Sequence, residues 1–251
     1  MKLLNLPNTL TCCNLISGCV ATTVAILSPF TRNMEMALLF IIIGALFDFC
    51  DGLSARLTHV SSPVGKELDS LADVVTFGVA PSAMVFSMLQ ETFNRYLSLH
   101  SYTDNMGAGM LSVIPMLAFV MAAFSALRLA KFNLDTRQTT SFIGLPTPAN
   151  ALFWASIVVG FGSDIVGYGI KAIVVTLLMV AVSCWLLISE IPMFALKFKH
   201  YKWKGNEVKY IFIVLALALI ALLCEKAFAP VIALYVLMSV IYRPACQCSH
   251  H

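Results

Sequence analysis

Apolar runs of roughly 15–22 residues, long enough for a helix to cross about 30 Å of hydrocarbon, recur along this chain. Charged residues are only 12% of the 251 and gather between the runs, hydrophobic residues are 59%, and mean hydropathy is +0.87. A soluble domain carries about 25% charged residues. A chain with so few cannot cover itself with a wetted surface, so it reads as an all-α integral membrane protein.

Eight candidate transmembrane helices follow, at 8–28, 34–57, 69–92, 110–131, 149–163, 171–189, 208–224 and 228–242. The fifth and eighth are short, and the last two read equally as one hairpin. No internal repeat or long linker divides the chain, so a single membrane domain spanning 1–251 is expected. The first run begins at Pro7-Asn8 without a small-residue cleavage site, which argues against a removed signal peptide.

Lys and Arg set orientation, because cytoplasmic loops carry their excess. With the N-terminus inside, the cytoplasmic side collects Lys2, Arg56, Lys66, Arg128, Lys131, Arg137, Lys197, Lys199, Lys202, Lys204, Lys209 and Arg243. The outer side keeps Arg32, Arg95, Lys171 and Lys226. Both termini are therefore expected in the cytoplasm. The lysines between 197 and 209 form a basic loop suited to anionic headgroups. The net charge of +3 is too small and dispersed for a nucleic-acid partner. Six of the eight cysteines, Cys12, Cys13, Cys19, Cys50, Cys184 and Cys224, lie in apolar runs, where free Cys acts as a small hydrophobe. Cys246 and Cys248, beside His250 and His251, read as a frayed tail.

Against this background four aspartates stand out: Asp48 and Asp51 in the second run, Asp69 and Asp73 in the third. An ionised carboxylate in a membrane helix is expensive unless it faces a cavity, a partner or a metal. At 100° per residue and with Asp48 at zero, Asp51 falls at about −60°, Gly52 at +40°, Ala55 at −20° and Arg56 at +80°. Gly65, Asp69 and Asp73 step by four along the next helix. The short turn at 57–64 makes the two helices antiparallel neighbours whose polar stripes can face each other. Carboxylate oxygens suit hard cations such as Mg²⁺ or Mn²⁺, and such a pair suits phosphoryl transfer. Gly52 and Ala55 leave room for a ligand, and Arg56 offers a forked donor to phosphate. An ion-pair network with Arg56 and Lys66, or a cation pathway, would use the same residues.

The segment Asp48-x2-Asp51-Gly52-x2-Ala55-Arg56, eight residues, then Gly65-x3-Asp69-x3-Asp73 resembles the signature of the CDP-alcohol phosphotransferases. The resemblance implies a six-helix core, here with two additional C-terminal helices, and a homodimer. Residues 1–190 would form the catalytic core; 191–251 would form the basic loop, helix pair and tail. The resemblance also implies that Asp48, Asp51, Asp69 and Asp73 bind divalent metal, Mg²⁺ or Mn²⁺. Asp73 would in addition be the base that takes the proton of the acceptor alcohol. Gly52, Ala55, Arg56, Ser62 and Gly65 would contact the CDP-lipid. Leu6-Pro7-Asn8-Thr9-Leu10-Thr11 is similar to the family's nucleotide-side segment, adding Asn8 and Thr9; its structural reading is a helix start capped at Asn8 or Thr9.

The acceptor is less strongly marked. Asp69-Ser-Leu-Ala-Asp73-Val-Val-Thr76-Phe77-Gly78-Val-Ala-Pro81-Ser82, Arg128-Leu-Ala-Lys131-Phe132-Asn133 and Gly144-Leu-Pro146-Thr147-Pro148-Ala149-Asn150 look like the phosphatidylserine-forming branch. This likeness implies transfer of the phosphatidyl group from CDP-diacylglycerol to L-serine, with release of CMP, at a cytoplasm-facing site in the cell membrane. Arg128 or Lys131 would meet the serine carboxylate, and Asn133 or Asn150 the amine or an oxygen. Helix-end snorkelling explains the two cations equally well, as a helix cap explains Asn150. No Ser-His-Asp or Cys-His grouping offers a covalent route, and His59 lies on the interhelical turn, so direct displacement is expected. The alternatives are a glycerol 3-phosphate or inositol phosphate acceptor, an intramembrane prenyltransferase, or a transporter.

Overall fold

The computed structural model describes residues 5–27, 33–58, 62–99, 113–134, 142–193 and 206–242. His59, Ser61, Arg137, the lysines at 197–204 and the Cys246–His251 tail lie outside the described residues. Helix α1 is Leu6–Leu27, α2 is Met34–Thr58 and α3 is Pro63–Asp73. A π-helical turn, Val74–Val79, joins α3 to α4, Ala80–Leu99. A 3₁₀ turn, Ile114–Phe119, leads into α5, Val120–Leu134. Then come α6, Thr147–Gly167, and α7, Ile170–Ile188. Helix α8 is Glu207–Leu223, and a 3₁₀ turn at Cys224–Ala227 folds it back onto α9, Phe228–Tyr242.

Six of these segments are long and apolar enough to cross a membrane: Leu6–Leu27, Met34–Thr58, Pro63–Leu99, Ile114–Leu134, Thr147–Gly167 and Ile170–Ile188. Phe228–Ile241 is a shorter apolar helix. The C-terminal pair is thus a hairpin of short helices. The third span begins at Pro63, ahead of the apolar run that starts at 69. Ser62 caps it by accepting from Gly65 N at 3.0 Å, and Pro63 occupies a position where no N–H is needed. Charged Lys66, Glu67 and Asp69 keep hydropathy from registering this first stretch.

The π turn has a local cause in Pro81. Proline donates no N–H and its ring crowds the carbonyl four residues back, at Phe77. The backbone instead closes a wider turn, with Ala80 N donating to Val75 O, while Ser82 Oγ donates to Gly78 O at 2.7 Å. The wide turn drives Thr76 between α1 and α2. A Cβ on Gly18 would lie 2.7 Å from the Thr76 Cα, and one on Gly44 only 2.5 Å from its Cγ2. Glycine at both positions is what lets three backbones meet there.

The core is built from α1, α2, the π turn and α4–α7, with Phe77, Met84, Met88, Met121 and Trp154 fully buried. Trp154 Nε1 donates to Ser183 Oγ at 3.0 Å, tying α6 to α7. A two-residue antiparallel pairing, β1 (Phe142–Ile143) with β2 (Pro192–Met193), joins the loops that precede α6 and follow α7. Gly144 follows at φ +75°, with the carbonyls of Leu187 and Ser189 less than 3 Å from where a Cβ would sit. Helix α9 packs on α6 and α8, and Ala229 N donates to Ser156 Oγ at 3.2 Å.

Candidate active site

Helix α2 carries Asp48 and Asp51 one turn apart, and α3 carries Asp69. One carboxylate oxygen from each lies within 4.8 Å of those of the other two. The expected facing of the two stripes is therefore present, but not by direct packing of the two helices. The backbones of α2 and α3 scarcely approach, and α1 packs against both. What separates them is a cleft into which the carboxylates project.

Asp51 is buried and Asp48 and Asp69 half-buried, and among the described residues no Lys or Arg forms an ion pair with them. Lys66 instead donates to Asn133 O at 3.2 Å, and Arg56 is exposed at the end of α2. The ion-pair network is thus not what forms. Asp69 Oδ1 is buried without a hydrogen-bond partner. Three oxygen-donor side chains with an unsatisfied buried oxygen fit a hard divalent cation, and Asp48, Asp51 and Asp69 are the residues able to hold it.

Asp73 stands apart from this trio. One turn beyond Asp69 and deeper in the bundle, it is 9% exposed and accepts a hydrogen bond from Asn14 Nδ2 at 3.2 Å. Asp51 is likewise held from α1, by Thr11 Oγ1 at 2.6 Å.

A cavity of about 230 Å³ adjoins the carboxylates, lined from α1 by Pro7, Asn8 and Thr11, from α2 by Asp51, Gly52 and Ala55, and from α3 and its cap by Ser62, Gly65, Lys66 and Asp69. Five of the residues expected at the CDP-lipid, Asn8, Gly52, Ala55, Ser62 and Gly65, are thereby brought together. Gly52 has open space where a Cβ would project, whereas Gly65 lies against the Asn8 and Ser62 side chains. Thr9 and Arg56 are not among the lining residues. Thr9 lies about 100° round the helix from Asn8, is exposed, and donates to Asn5 O at 2.9 Å. The cap of α1 falls on Asn5, whose Oδ1 accepts from Asn8 N at 3.0 Å, rather than on Asn8 or Thr9. A larger cavity of about 530 Å³ lies between α6, α7 and α9, but its lining is apolar apart from Ser183 and holds no charged group.

The four residues expected at the acceptor divide. Arg128 is 7% exposed, its guanidinium 5.9 Å from the Phe132 ring centroid and its Nε without a partner. Contacts of Gly78 with Ser125 and of Ser70 with Asn133 set α5 alongside α3 and the π turn, bracketing Arg128 near Asp73. Asn150 is fully buried, and both polar atoms of its side chain lack partners. It does not cap α6: the N-cap is Pro146, and Asn150 N donates to Pro146 O. Lys131 reaches outward to Glu190 at 3.4 Å, and Asn133 Nδ2 donates to Ser70 Oγ at 2.8 Å. Those two serve as ties between elements.

Thr11, Asn14 and Lys66 are not among the residues expected at the site from sequence, where Lys66 reads as an ion-pair partner of the aspartates. The first two carried a signal, since Asn8, Thr11, Asn14 and Ser17 recur every three residues in an otherwise apolar helix, and all four are buried.

The profile described as CDP-alcohol phosphatidyltransferase matches residues 4–243. The chain is similar to several proteins named CDP-diacylglycerol–serine O-phosphatidyltransferase. It is 36% identical over 141 residues to that of Bacillus subtilis (strain 168), covering 56% of this chain and 70% of the relative. With that of Helicobacter pylori (strain J99) it shares 35% over 148 residues, 58% of this chain and 54% of the relative, so there it spans about half the relative's length. With that of Methanocaldococcus jannaschii it shares 32% over 222 residues, 88% of this chain and 86% of the relative. With the Asp48–Asp73 constellation inside the matched region, this chain belongs to the CDP-alcohol phosphatidyltransferase family.

Proposed function

We propose that this chain transfers the phosphatidyl group of CDP-diacylglycerol to the hydroxyl of L-serine, giving phosphatidylserine and CMP. The observation that carries the reading is the Asp48–Asp51–Asp69 cluster opening onto a cavity beside the buried Asp73. The names of the relatives support serine as the acceptor.

Asp48, Asp51 and Asp69, with Asp73 one turn beyond Asp69, would hold Mg²⁺ or Mn²⁺, which would supply positive charge against the diphosphate and the departing CMP. Asn8, Gly52, Ala55, Ser62 and Gly65 accommodate the CDP group, with Thr9 and Arg56 at its margin. Asp73 accepts the proton of the serine hydroxyl. The serine oxygen forms its bond to the phosphorus bearing diacylglycerol as the bond from that phosphorus to the CMP oxygen breaks. Arg128, buried with an unused Nε, receives the serine carboxylate. Asn150 receives the amine through its unpartnered Oδ1.

The chain has eight membrane-embedded helices, a six-helix catalytic core over 1–190 and a C-terminal pair within 191–251. Both termini and the active site face the cytoplasm, the protein resides in the cell membrane, and it works as a homodimer. The Lys and Arg distribution supports this orientation. An acceptor bearing its own phosphate would require a basic cluster; Lys131 is engaged with Glu190, which favours serine. Purified protein given CDP-diacylglycerol, metal and each of serine, glycerol 3-phosphate, inositol and inositol phosphate should form a phospholipid with serine alone. Product from glycerol 3-phosphate instead would overturn the assignment.

A further inference from the structure

Asn14 of α1 is fully buried and joined to the catalytic hairpin twice. Its side-chain Nδ2 donates to Asp73 Oδ1 at 3.2 Å, and its backbone carbonyl accepts from Thr76 Oγ1 at 3.0 Å. Thr76 belongs to the π turn that begins directly after Asp73, and Gly18 and Gly44 admit it between α1 and α2. The backbone on which Asp73 rides is therefore pinned to the same residue that holds its carboxylate. The carboxylate only accepts, so the NH₂ end of the amide must face it. This leaves Asn14 Oδ1 pointing toward α2, where a Cβ on Gly44 would lie 3.0 Å away and where it has no partner. A buried amide with one end unsatisfied is costly, and an apolar residue of similar size would remove that cost.

We propose that Asn14 is a positioning residue: it occupies Asp73 Oδ1, fixing the carboxylate so that Oδ2 is presented to the acceptor hydroxyl. The inference rests on Asp73 being the base. It adds that the reactive oxygen is selected from α1, a helix outside the aspartate motif. Asn14 acts through Asp73, so its loss should misplace the proton acceptor without changing what the substrates contact.

The test measures kcat, both KM values and the thermal midpoint for Asn14→Leu and Asn14→Ala, beside Asp73→Asn and the double variant Asn14→Leu/Asp73→Asn. Misplacing a reacting group by about 1 Å costs roughly 100-fold, so kcat should fall by about that factor in both Asn14 variants. KM for serine and for CDP-diacylglycerol should stay within about threefold, because no substrate contact is lost. The double variant should be no slower than Asp73→Asn alone. The alanine variant adds no volume and keeps the test intact if the leucine variant does not fold. The proposal is overturned by an unchanged kcat, by a rise in KM at constant kcat, by losses in the double variant that multiply, or by activity that declines only in step with folded protein. Substantial activity in Asp73→Asn alone would instead remove the base assignment, an outcome separable from the behaviour of Asn14.

Discussion

Thr11 Oγ1 donates to Asp51 Oδ2 across 2.6 Å, joining two residues forty positions apart in sequence. One turn further along α1, Asn14 reaches Asp73. A single face of α1 thus holds one carboxylate from each helix of the aspartate hairpin, while α2 and α3 themselves stay apart. The first helix sets the width of the cleft. Its polar face, unremarkable in composition, holds two of the four carboxylates in place.

Thr11→Val keeps the branched shape and removes the hydroxyl that orients Asp51. Groups that orient metal ligands typically contribute 10–100-fold to metal affinity, so the divalent-ion concentration for half-maximal activity should rise about 10-fold. At saturating metal kcat should recover to within about threefold of the parent, since Asp51 itself remains. Titrating Mg²⁺ and Mn²⁺ in a CMP-release assay reads both quantities. An unchanged titration would show that Thr11 has no part in holding Asp51.

Asp48, Asp51 and Asp69 crowd like charges into one cleft, so catalysis and stability should respond in opposite directions. Excess EDTA should abolish CMP release, and restoring Mg²⁺ or Mn²⁺ should recover it. Asp69→Asn should lower activity by about 10²–10³, the usual cost of losing one electrostatic contributor at a reacting centre. In metal-free buffer the same substitution should raise the thermal midpoint, because it relieves repulsion among the carboxylates. Metal should raise the midpoint of the parent by mass action, and of Asp69→Asn far less. A midpoint unaffected by metal in the parent would exclude the cluster as a metal site.

Much of this architecture is written in local sequence. Apolar run length located the spanning helices, and the spacing of Asp48, Asp51 and Asp69 placed three carboxylates on facing stripes. What escaped depends on partners distant in sequence. Ideal helix angles place Asp73 only about 40° from Asp69 and cannot reveal that α1 draws it toward Asn14. Lys131 and Arg128 share a helix end, yet one is claimed by Glu190 and the other is buried, because α7 ends beside the first and the π turn passes beside the second. Thr11 and Asn14 were legible as a three-residue polar repeat, but the Pro7-Asn8 helix start was the stronger local feature.

Gly52 and Gly65 should respond differently to alanine. Around Gly52 no atom lies within 4 Å of a new Cβ, which would project into open space beside the cavity lining. Gly52→Ala should therefore fold normally and raise KM for CDP-diacylglycerol with little change in KM for serine. At Gly65 the new Cβ would sit 2.9 Å from Asn8 Oδ1 and 3.2 Å from the Ser62 Oγ that caps α3. Overpacking of that kind costs about 1–3 kcal/mol, so Gly65→Ala should lower the thermal midpoint as well as activity. Equal midpoints for the two variants would contradict this distinction.

Arg128 and Lys131 offer the sharpest test of the acceptor side. Arg128→Met preserves an unbranched stem of similar reach and removes a charge that is buried with Nε unpaired. If that charge receives the serine carboxylate, its loss should cost about 1.5–3 kcal/mol of binding, the range for hydrogen bonds to charged groups. The expected signature is a rise in KM for serine of roughly tenfold or more, one tenfold step being 1.4 kcal/mol, with KM for CDP-diacylglycerol little changed. Lys131→Ala removes a 3.4 Å ion pair whose side chains are 41% and 70% exposed, together with an exposed 3.4 Å hydrogen bond to Ile188 O. A pair so exposed contributes about 0–1 kcal/mol to stability, so both KM values and the thermal midpoint should shift little. The two variants assayed together separate a buried acceptor contact from a surface tie. Serine KM rising with Lys131→Ala and not with Arg128→Met would reverse the assignment of these two cations.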